Sequence, residues 1–400
     1  MNFRGQRFFC GVVLFLTLTM AAMPGARAAV IAWGAGTTTS GINNYGQSIV
    51  PADVTNAVMV AGGLLQGLAL NADGTLADWG TDGFGVLDFF QDTNYISVAC
   101  GRQHSLALFS DGTVVAVGDD SFGQIDVPSG LTNVVEISGG FYHSLALKSD
   151  GTVVVWGPGT NVANVGQDPD YGQTIVPLGL SNVVQIAAGG WHNVALLADG
   201  TIRTWGRSDS GQLAVPPGLS NVVAISAGAA HTVVLRADGS IVAWGLNLYG
   251  ETNVPTELSN VIAIASGGWH NLALKSDGTV VAWGAGTGTN VYVDNQQNIV
   301  PAHLTNVVQI AGGNVNSLVI TGSAPPVTSA KFVTPQTSTN GFTVAIPTRN
   351  GHVYRLEYTP SLAAPSWTGL PLVAGTGGLQ TFSDPSATNN AGRFYRVRRW

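Results

Sequence analysis

Val183-Val184-Gln185-Ile186-Ala187-Ala188-Gly189-Gly190-Trp191-His192-Asn193-Val194-Ala195-Leu196-Leu197-Ala198-Asp199-Gly200-Thr201-Ile202-Arg203-Thr204-Trp205-Gly206 is the stretch whose reading decides the fold. Residues 183–187 form a short β-branched run and 193–197 a second, separated by glycines that permit a tight reversal, so the pair reads as a hairpin. Asp199-Gly200 then marks a turn, because Gly accepts positive φ and Asp bonds its own backbone. A third strand follows and ends in Trp205-Gly206. The unit recurs along the chain, starting after Asn56, Asn94, Asn133, Asn182, Asn221, Asn260 and Asn306, with spacings of 38, 39, 49, 39, 39 and 46 residues.

Turns equivalent to Asp199-Gly200 occur at Asp73-Gly74, Asp111-Gly112, Asp150-Gly151, Asp238-Gly239 and Asp277-Gly278. Trp-Gly recurs at Trp33, Trp79, Trp156, Trp205, Trp244 and Trp283, with Val117-Gly118 as the exception, and supplies one large apolar body per unit to fill space between stacked sheets. A short fourth strand is expected to run toward Pro51, Pro128, Pro177, Pro216, Pro255 and Pro301, where proline suits a strand end. Antiparallel units of about 40 residues bury their faces by stacking radially into a propeller. Six units are complete; 307–322 holds only first strands and 30–56 only last ones. The expected fold is therefore all-β: a seven-bladed β-propeller at 29–322 closed by strands from both ends, then a linker at 323–330 and a small β-sandwich at 331–400.

Composition agrees. Only 10% of residues are charged, against about 25% in a typical domain, and 53 are glycine. Four glutamates and three lysines leave little to coat the wet faces of helices. Residues 29–322 hold 21 acidic and 6 basic side chains, the wrong sign for wrapping phosphate backbones, so nucleic acid is not an expected partner.

Arg4 and Arg7 precede an apolar run at 8–23, and Ala26-Arg27-Ala28 offers small residues where a signal peptidase reads. Cleavage is expected after Ala28, giving an exported, secreted, periplasmic or cell-surface protein. No stretch reaches the roughly 20 apolar residues of a transmembrane helix. Cys10 lies in the segment to be removed, which leaves Cys100 and no internal disulfide.

Gly267-Gly268-Trp269-His270-Asn271-Leu272-Ala273-Leu274-Lys275-Ser276-Asp277-Gly278-Thr279-Val280-Val281-Ala282-Trp283-Gly284 resembles the regulator-of-chromosome-condensation repeat, as do its counterparts over about three quarters of the chain. The resemblance implies a seven-bladed propeller. Within the family a nuclear eukaryotic member is a guanine-nucleotide exchange factor on chromatin, and a secreted bacterial relative inhibits β-lactamases. The export signal, acidic body and shorter repeats depart from the nuclear member, so nucleotide exchange is the disfavoured alternative.

In each unit the position of His192 holds Gln66, His104, His143, His192, His231, His270 or Asn316. Regular placement on separate blades works against convergence on one metal ion, so each imidazole is expected to bond backbone at the glycine reversal. The preceding position varies: Leu65, Gln103, Tyr142, Trp191, Ala230, Trp269 and Val315. In antiparallel blades it shares an end with the loops after Trp-Gly, which expand at 34–45, 157–171 and 284–297. Tyr142, Trp191 and Trp269, with Asn161, Asp168, Asp170, Tyr292 and Asp294 of these loops, are the candidate binding residues for an extracellular protein or glycan. Calcium would use the loop carboxylates, but their spacing matches no EF-hand, and no cofactor or metal is expected. No nucleophile elbow, zinc-binding His-Glu-x-x-His run or phosphate loop is present. A monomeric, non-enzymatic binding protein is the expected class; an extracellular hydrolase or lyase at the propeller mouth is the alternative.

In the carboxyl-terminal part, 341–348, 353–359, 367–373 and 393–399 are strand candidates in a fibronectin-like module. Tyr354, Leu356 and Tyr358 are assigned to its core face and Val353, Arg355 and Glu357 to a wet one. Arg393, Arg396, Arg398 and Arg399 form either a charged edge strand or a dock for an anionic surface.

Overall fold

The computed structural model describes residues 28–37, 44–81, 92–158, 169–286, 295–322, 333–338, 341–361, 367–387 and 393–399. Seven three-stranded antiparallel sheets repeat in chain order, six of them within 57–80, 95–118, 134–156, 183–206, 222–245 and 261–284. They are blades 1 to 6. Blade 7 joins Val307–Gly312 and Asn316–Thr321 to Ala29–Gly34, which pairs with Asn316–Thr321 over six residues from Ala29 opposite Thr321 to Gly34 opposite Asn316. The two ends of the propeller thus share one sheet.

Among the described residues the expected fourth strand is absent from these sheets. The outer segments are turns instead: Leu131 N–H donates to Pro128 C=O, and Leu180, Leu219, Leu258 and Leu304 repeat the bond to Pro177, Pro216, Pro255 and Pro301. Each proline opens a turn rather than ending a strand. The asparagine before the inner strand has its own role: Asn94, Asn133, Asn182, Asn221, Asn260 and Asn306 all take positive φ between 56° and 76°, which Asn tolerates better than other side chains with a Cβ. At the same end of the blade, in the turn between middle and third strands, Asp199 Oδ1 accepts from Thr201 N–H at 2.9 Å and Thr201 Oγ1 at 2.6 Å, a pattern repeated at Asp73, Asp111, Asp150, Asp238 and Asp277.

Middle strands are apolar almost throughout because neighbouring blades cover both of their faces. Leu145-Ala146-Leu147 and Leu272-Ala273-Leu274 are wholly buried. Between blades, the tryptophan Nε1 of one blade donates to a main-chain carbonyl left by the blade before it: Trp205 to Gln173, Trp244 to Gln212, Trp283 to Glu251, Trp33 to Gln297 and Trp79 to Gln47, at 2.9–3.0 Å. Val117 occupies the same buried place in blade 2. The accepting residue belongs to a Gly-Gln-type turn in which its own side-chain oxygen takes the N–H two residues back, as Gln173 takes that of Tyr171. Blade 5 is followed by Glu251 instead. It is fully buried, Oε2 accepts from Tyr249 N–H, Oε1 has no hydrogen-bond partner, and burial holds its pKa above the usual carboxylate range.

The carboxyl-terminal residues form two facing three-stranded sheets, one of Val333–Ser338, Gly341–Pro347 and Leu379–Asp384, the other of Thr368–Ala374, Val353–Thr359 and Phe394–Arg399. Phe342, Val344, Ile346 and Phe382 from the first pack on Tyr354, Leu356 and Val397 of the second. Strands Val333–Ser338 and Leu379–Asp384 were not expected, since neither alternates clearly. The assigned wet face is also corrected. Val353 and Leu372 are buried in the core cluster of blades 5 to 7, while Glu357, directly opposite Arg396 on the neighbouring strand, is buried beneath Arg396 and Arg398. The module therefore sits on the propeller: Leu372 N–H donates to Ala237 C=O at 2.9 Å, and Asn350 Nδ2 and Gly351 N–H both donate to Val184 C=O. With Arg393 paired to buried Asp384, three of the four terminal arginines have partners within the module.

Two stability measurements follow. Trp33→Ala should cost about 3–5 kcal/mol in denaturant unfolding, matching Trp205→Ala, because a strand contributed from the far end is an equal member of its blade; a cost below about 1 kcal/mol would mean that the strand is dispensable. Glu251→Gln should raise stability at pH 7 by about 1 kcal/mol, because the unfolded glutamate ionises above its usual pKa while the buried one keeps its proton to higher pH, so the native protein loses stability as pH rises through that window.

Candidate functional site

The inner strands surround a central channel of about 430 Å³. Side chains tie neighbouring strands along its wall: Gln309 accepts from Val60 N–H, Gln185 from Ile225 N–H, Ser138 from Ala188 N–H and Ser226 from Ser266 N–H. Glu136 accepts from Ile186 N–H at 3.4 Å, and burial pushes its carboxyl up to about 8. Among the described residues that line the channel it is the one carboxyl. The turn holding Asn350 and Gly351 overhangs the lower end, where Gly351 lies against Glu136.

At the upper end, where inner strands turn into middle ones, main-chain hydrogen bonds join every blade to the next. Leu64 N–H donates to Arg102 C=O, Arg102 to Gly140, Phe141 to Gly190, Gly190 to Gly228 and Ala229, Ala229 to Gly268, Gly268 to Gly313 and Asn314, and Asn314 to Gly63, at 2.9–3.2 Å. This girdle returns to its starting blade.

Beneath it lies a layer of imidazoles. His104 Nε2 meets Ser144 Oγ at 3.0 Å, His143 meets Asn193 Oδ1 at 2.7 Å, His192 meets Thr232 Oγ1 at 3.1 Å, His231 meets Asn271 Oδ1 at 2.8 Å and His270 meets Ser317 Oγ at 2.8 Å. Each partner stands on the following blade. The expected backbone bond at the glycine reversal is therefore corrected: Nε2 reaches across to a side chain, and Nδ1, which faces the glycine, has no hydrogen-bond partner. Burial lowers His143 and His231 to about 4 and His104, His192 and His270 to about 3, so all are neutral near pH 7. Gln66 performs the same bridge from blade 1 to His104 C=O and Ser105 Oγ.

Above the girdle the variable side chains gather. Main-chain bonds from Arg207 to Trp191 C=O, Leu246 to Ala230 and Ala285 to Trp269 place the segments after Trp-Gly at this same end, as expected. Tyr142 and Trp191 lie 6.3 Å apart between ring centroids. Trp269, from blade 6, is linked to them through Phe141 of blade 3, whose ring is 4.9 Å from Trp191 and 6.3 Å from Trp269. Tyr171 stands edge-on to Trp191, and half-exposed Phe122 edge-on to Tyr142. Two guanidinium groups lie in the cluster: Arg102 over Phe141 and Tyr142 at 5.8 and 5.6 Å, and Arg207 over Tyr171 and Trp191 at 4.6 and 5.0 Å. Arg102 also donates to the Tyr142 hydroxyl, while Arg207 is paired with Asp209 at 2.6 Å.

Three candidate residues, Tyr142, Trp191 and Trp269, thus share one face and one cluster. Asp170 turns its Oδ1 to Gly172 N–H and caps a turn. Asn161, Asp168, Tyr292 and Asp294 lie outside the described residues. Phe141, Arg102 and Arg207 were missed. The signal was present, since the position two before each histidine reads Leu64, Arg102, Phe141, Gly190, Ala229, Gly268 and Asn314 and varies as freely as the one after it.

The regulator of chromosome condensation (RCC1) repeat matches five times, at 95–124, 134–161, 183–212, 222–251 and 261–287. The chain is similar to the crystal structure of human WBSCR16, at 20% identity and a TM-score of 0.56, covering 75% of this chain and 99% of that one. It is similar to Prp20p of Saccharomyces cerevisiae, at 20% identity and a TM-score of 0.57, over 75% and 92% of the chains, in a structure described together with binding to Gsp1p and histones. The ectodomain of the Physcomitrella patens receptor kinase CR4 matches at 20% identity and a TM-score of 0.50, over 66% and 76%. No curated protein matches the sequence. The chain carries RCC1 repeats and has the RCC1-type propeller fold.

The imidazole layer makes stability acid-sensitive. Below pH 6.5 the unfolded histidines take up protons that the native ones refuse until about pH 4 or 3, so the histidine contribution to stability should be level above pH 6.5 and fall between pH 6.5 and 4, opposite in sign to that of the buried Glu136 and Glu251 carboxyls. His143→Gln should stay within about 1 kcal/mol of the parent at pH 7.5 and shed up to about 1.4 kcal/mol per pH unit of the acid slope. Urea unfolding at pH 7.5 and 5 checks this; an unchanged slope would mean that His143 titrates normally.

Proposed function

We propose that this RCC1-repeat propeller is an exported, monomeric, non-enzymatic binding protein that captures an extracellular protein or glycan on its upper face. The observation that carries the reading is the cluster itself. Blades 2, 3, 4 and 6 each send a large side chain to one end of the channel, where Phe141, Tyr142, Trp191, Trp269, Arg102 and Arg207 meet. Tryptophan, tyrosine and arginine are the residues in which binding energy concentrates at interfaces. The scaffold beneath is rigid, which reduces the ordering cost of association.

RCC1-type propellers support this reading as protein-interaction folds, and the Prp20p structure is described with two protein partners. Export rests on the basic and apolar segment before Ala29. Hydrolysis by paired carboxylates would need a second carboxyl near Glu136, and the described channel wall offers Glu136 alone.

The test presents immobilised protein, residues 29–400, with the proteins of culture supernatant and a glycan array. For a partner so identified, Trp191→Ala and Trp269→Ala should each weaken binding by about 2 kcal/mol, or roughly thirtyfold, while Lys148→Ala at the opposite end leaves it unchanged. Retention of full affinity by both tryptophan variants would remove the upper face from consideration.

A further inference from the structure

Resting on that reading, we infer that the upper face recognises a polypeptide through a carboxylate, with Arg102 as the group that receives it. The inference begins from how charge is distributed. Six basic residues serve residues 29–322. Lys148 and Lys275 stand beside Asp150 and Asp277, Arg236 donates to Ser220 C=O and Arg203 to Ile202 C=O. The remaining two, Arg102 and Arg207, are both in the aromatic cluster.

These two differ. Arg207 is already neutralised by Asp209. Arg102 forms no ion pair among the described residues, and the Tyr142 hydroxyl takes one of its five N–H donors. Asp119 on the same blade is engaged elsewhere, with Oδ1 accepting from Ser121 and Oδ2 from Gln124. The Arg102 guanidinium carbon lies 5.8 and 5.6 Å from the Phe141 and Tyr142 ring centroids, and with one N–H on the Tyr142 hydroxyl four N–H donors are left in the fork geometry that suits bidentate binding of a carboxylate.

The arrangement of the rings argues for a peptide over a sugar. A pyranose needs an open ring face, and here Phe141 and Tyr142 lie beside Arg102 while Tyr171 and Trp191 lie beside Arg207 and Trp191 also meets Phe141 and Tyr171, so that of the clustered tryptophans only Trp269 is without a guanidinium neighbour among the described residues. What the cluster presents is N–H donors framed by apolar ring edges, which fits an Asp, Glu or terminal carboxylate flanked by an apolar side chain. The acidic body around it repels a highly acidic partner at a distance, so the complement is one carboxylate in an apolar setting rather than an acidic run.

A phage-displayed library of random twelve-residue peptides, panned on the protein comprising residues 29–400, tests this. Selected sequences should share one Asp, Glu or free carboxyl terminus next to an aromatic or aliphatic residue. A synthetic peptide of that consensus should lose at least about tenfold in affinity when its carboxylate becomes a carboxamide or when the protein carries Arg102→Gln, with Arg102→Lys between the two. Circular dichroism and the thermal midpoint of both variants should match the parent, since the main chain of Arg102 holds the girdle and its side chain does not.

Selected peptides without a carboxylate, full binding by Arg102→Gln, or no enrichment at all would overturn the inference, as would glycan-array binding that depends on Trp191. Loss of binding with Trp191→Ala but not with Arg102→Gln would leave the face in place and remove the carboxylate. Indifference to both would remove the face as well.

Discussion

Seven glycines allow seven blades to touch. Gly63, Gly101, Gly140, Gly189, Gly228, Gly267 and Gly313 stand three residues before the bridging side chain of each blade, and a Cβ on Gly101 would fall 2.1 Å from His104 Cε1 and 2.5 Å from Gly140 C=O of the next blade. The same double collision recurs at Gly140, Gly189, Gly228 and Gly267. With no side chain there, one blade's imidazole folds over its own glycine and the next blade's carbonyl approaches from the other side. Girdle, imidazole layer and glycine are one unit repeated around the ring, and everything above and below depends on its being continuous.

That unit explains a composition that otherwise looks unbalanced. A ring closed by main-chain bonds, buried neutral imidazoles and indole-to-carbonyl contacts needs few charges. The side chains that vary are the ones free of this duty. They project from the girdle into the upper mouth, where Arg102, Phe141, Tyr142, Trp191 and Trp269 meet, so the rigid and the variable parts of the repeat are separated by one or two residues. A firmly held backbone under an adaptable rim is the arrangement expected of a recognition scaffold.

The lower end is organised differently. The carboxyl-terminal sandwich puts Val353 and Leu372 into the core of blades 5 to 7 and bonds Ala237 and Val184 through its main chain and Asn350. This makes the two ends of the channel unlike: one is overhung by the protein's own module and the other carries the aromatic cluster. The module is a packed part of the molecule, and its arginines mostly satisfy Glu357 and Asp384 rather than reaching outward.

Sequence alone determined the blade number, the three strands of each blade, the Asp-Gly turns and the sharing of one blade by both ends, because each is a local pattern repeated at nearly constant spacing. It misread the outer segments as strands, since proline after an apolar run is compatible with a strand end and with the start of a turn. It also placed the imidazole bond within a blade, because spacing along the chain says nothing about which carbonyl or hydroxyl a neighbouring blade offers. Tertiary structure decided that Phe141 of blade 3 would link Trp191 to Trp269 of blade 6, that Arg102 would stand beside Phe141 and Tyr142 with no ion pair among the described residues, and that the sandwich would seat on the lower face. Those contacts depend on the angle between successive blades and on the curvature of the ring, which a linear repeat does not encode at any single position.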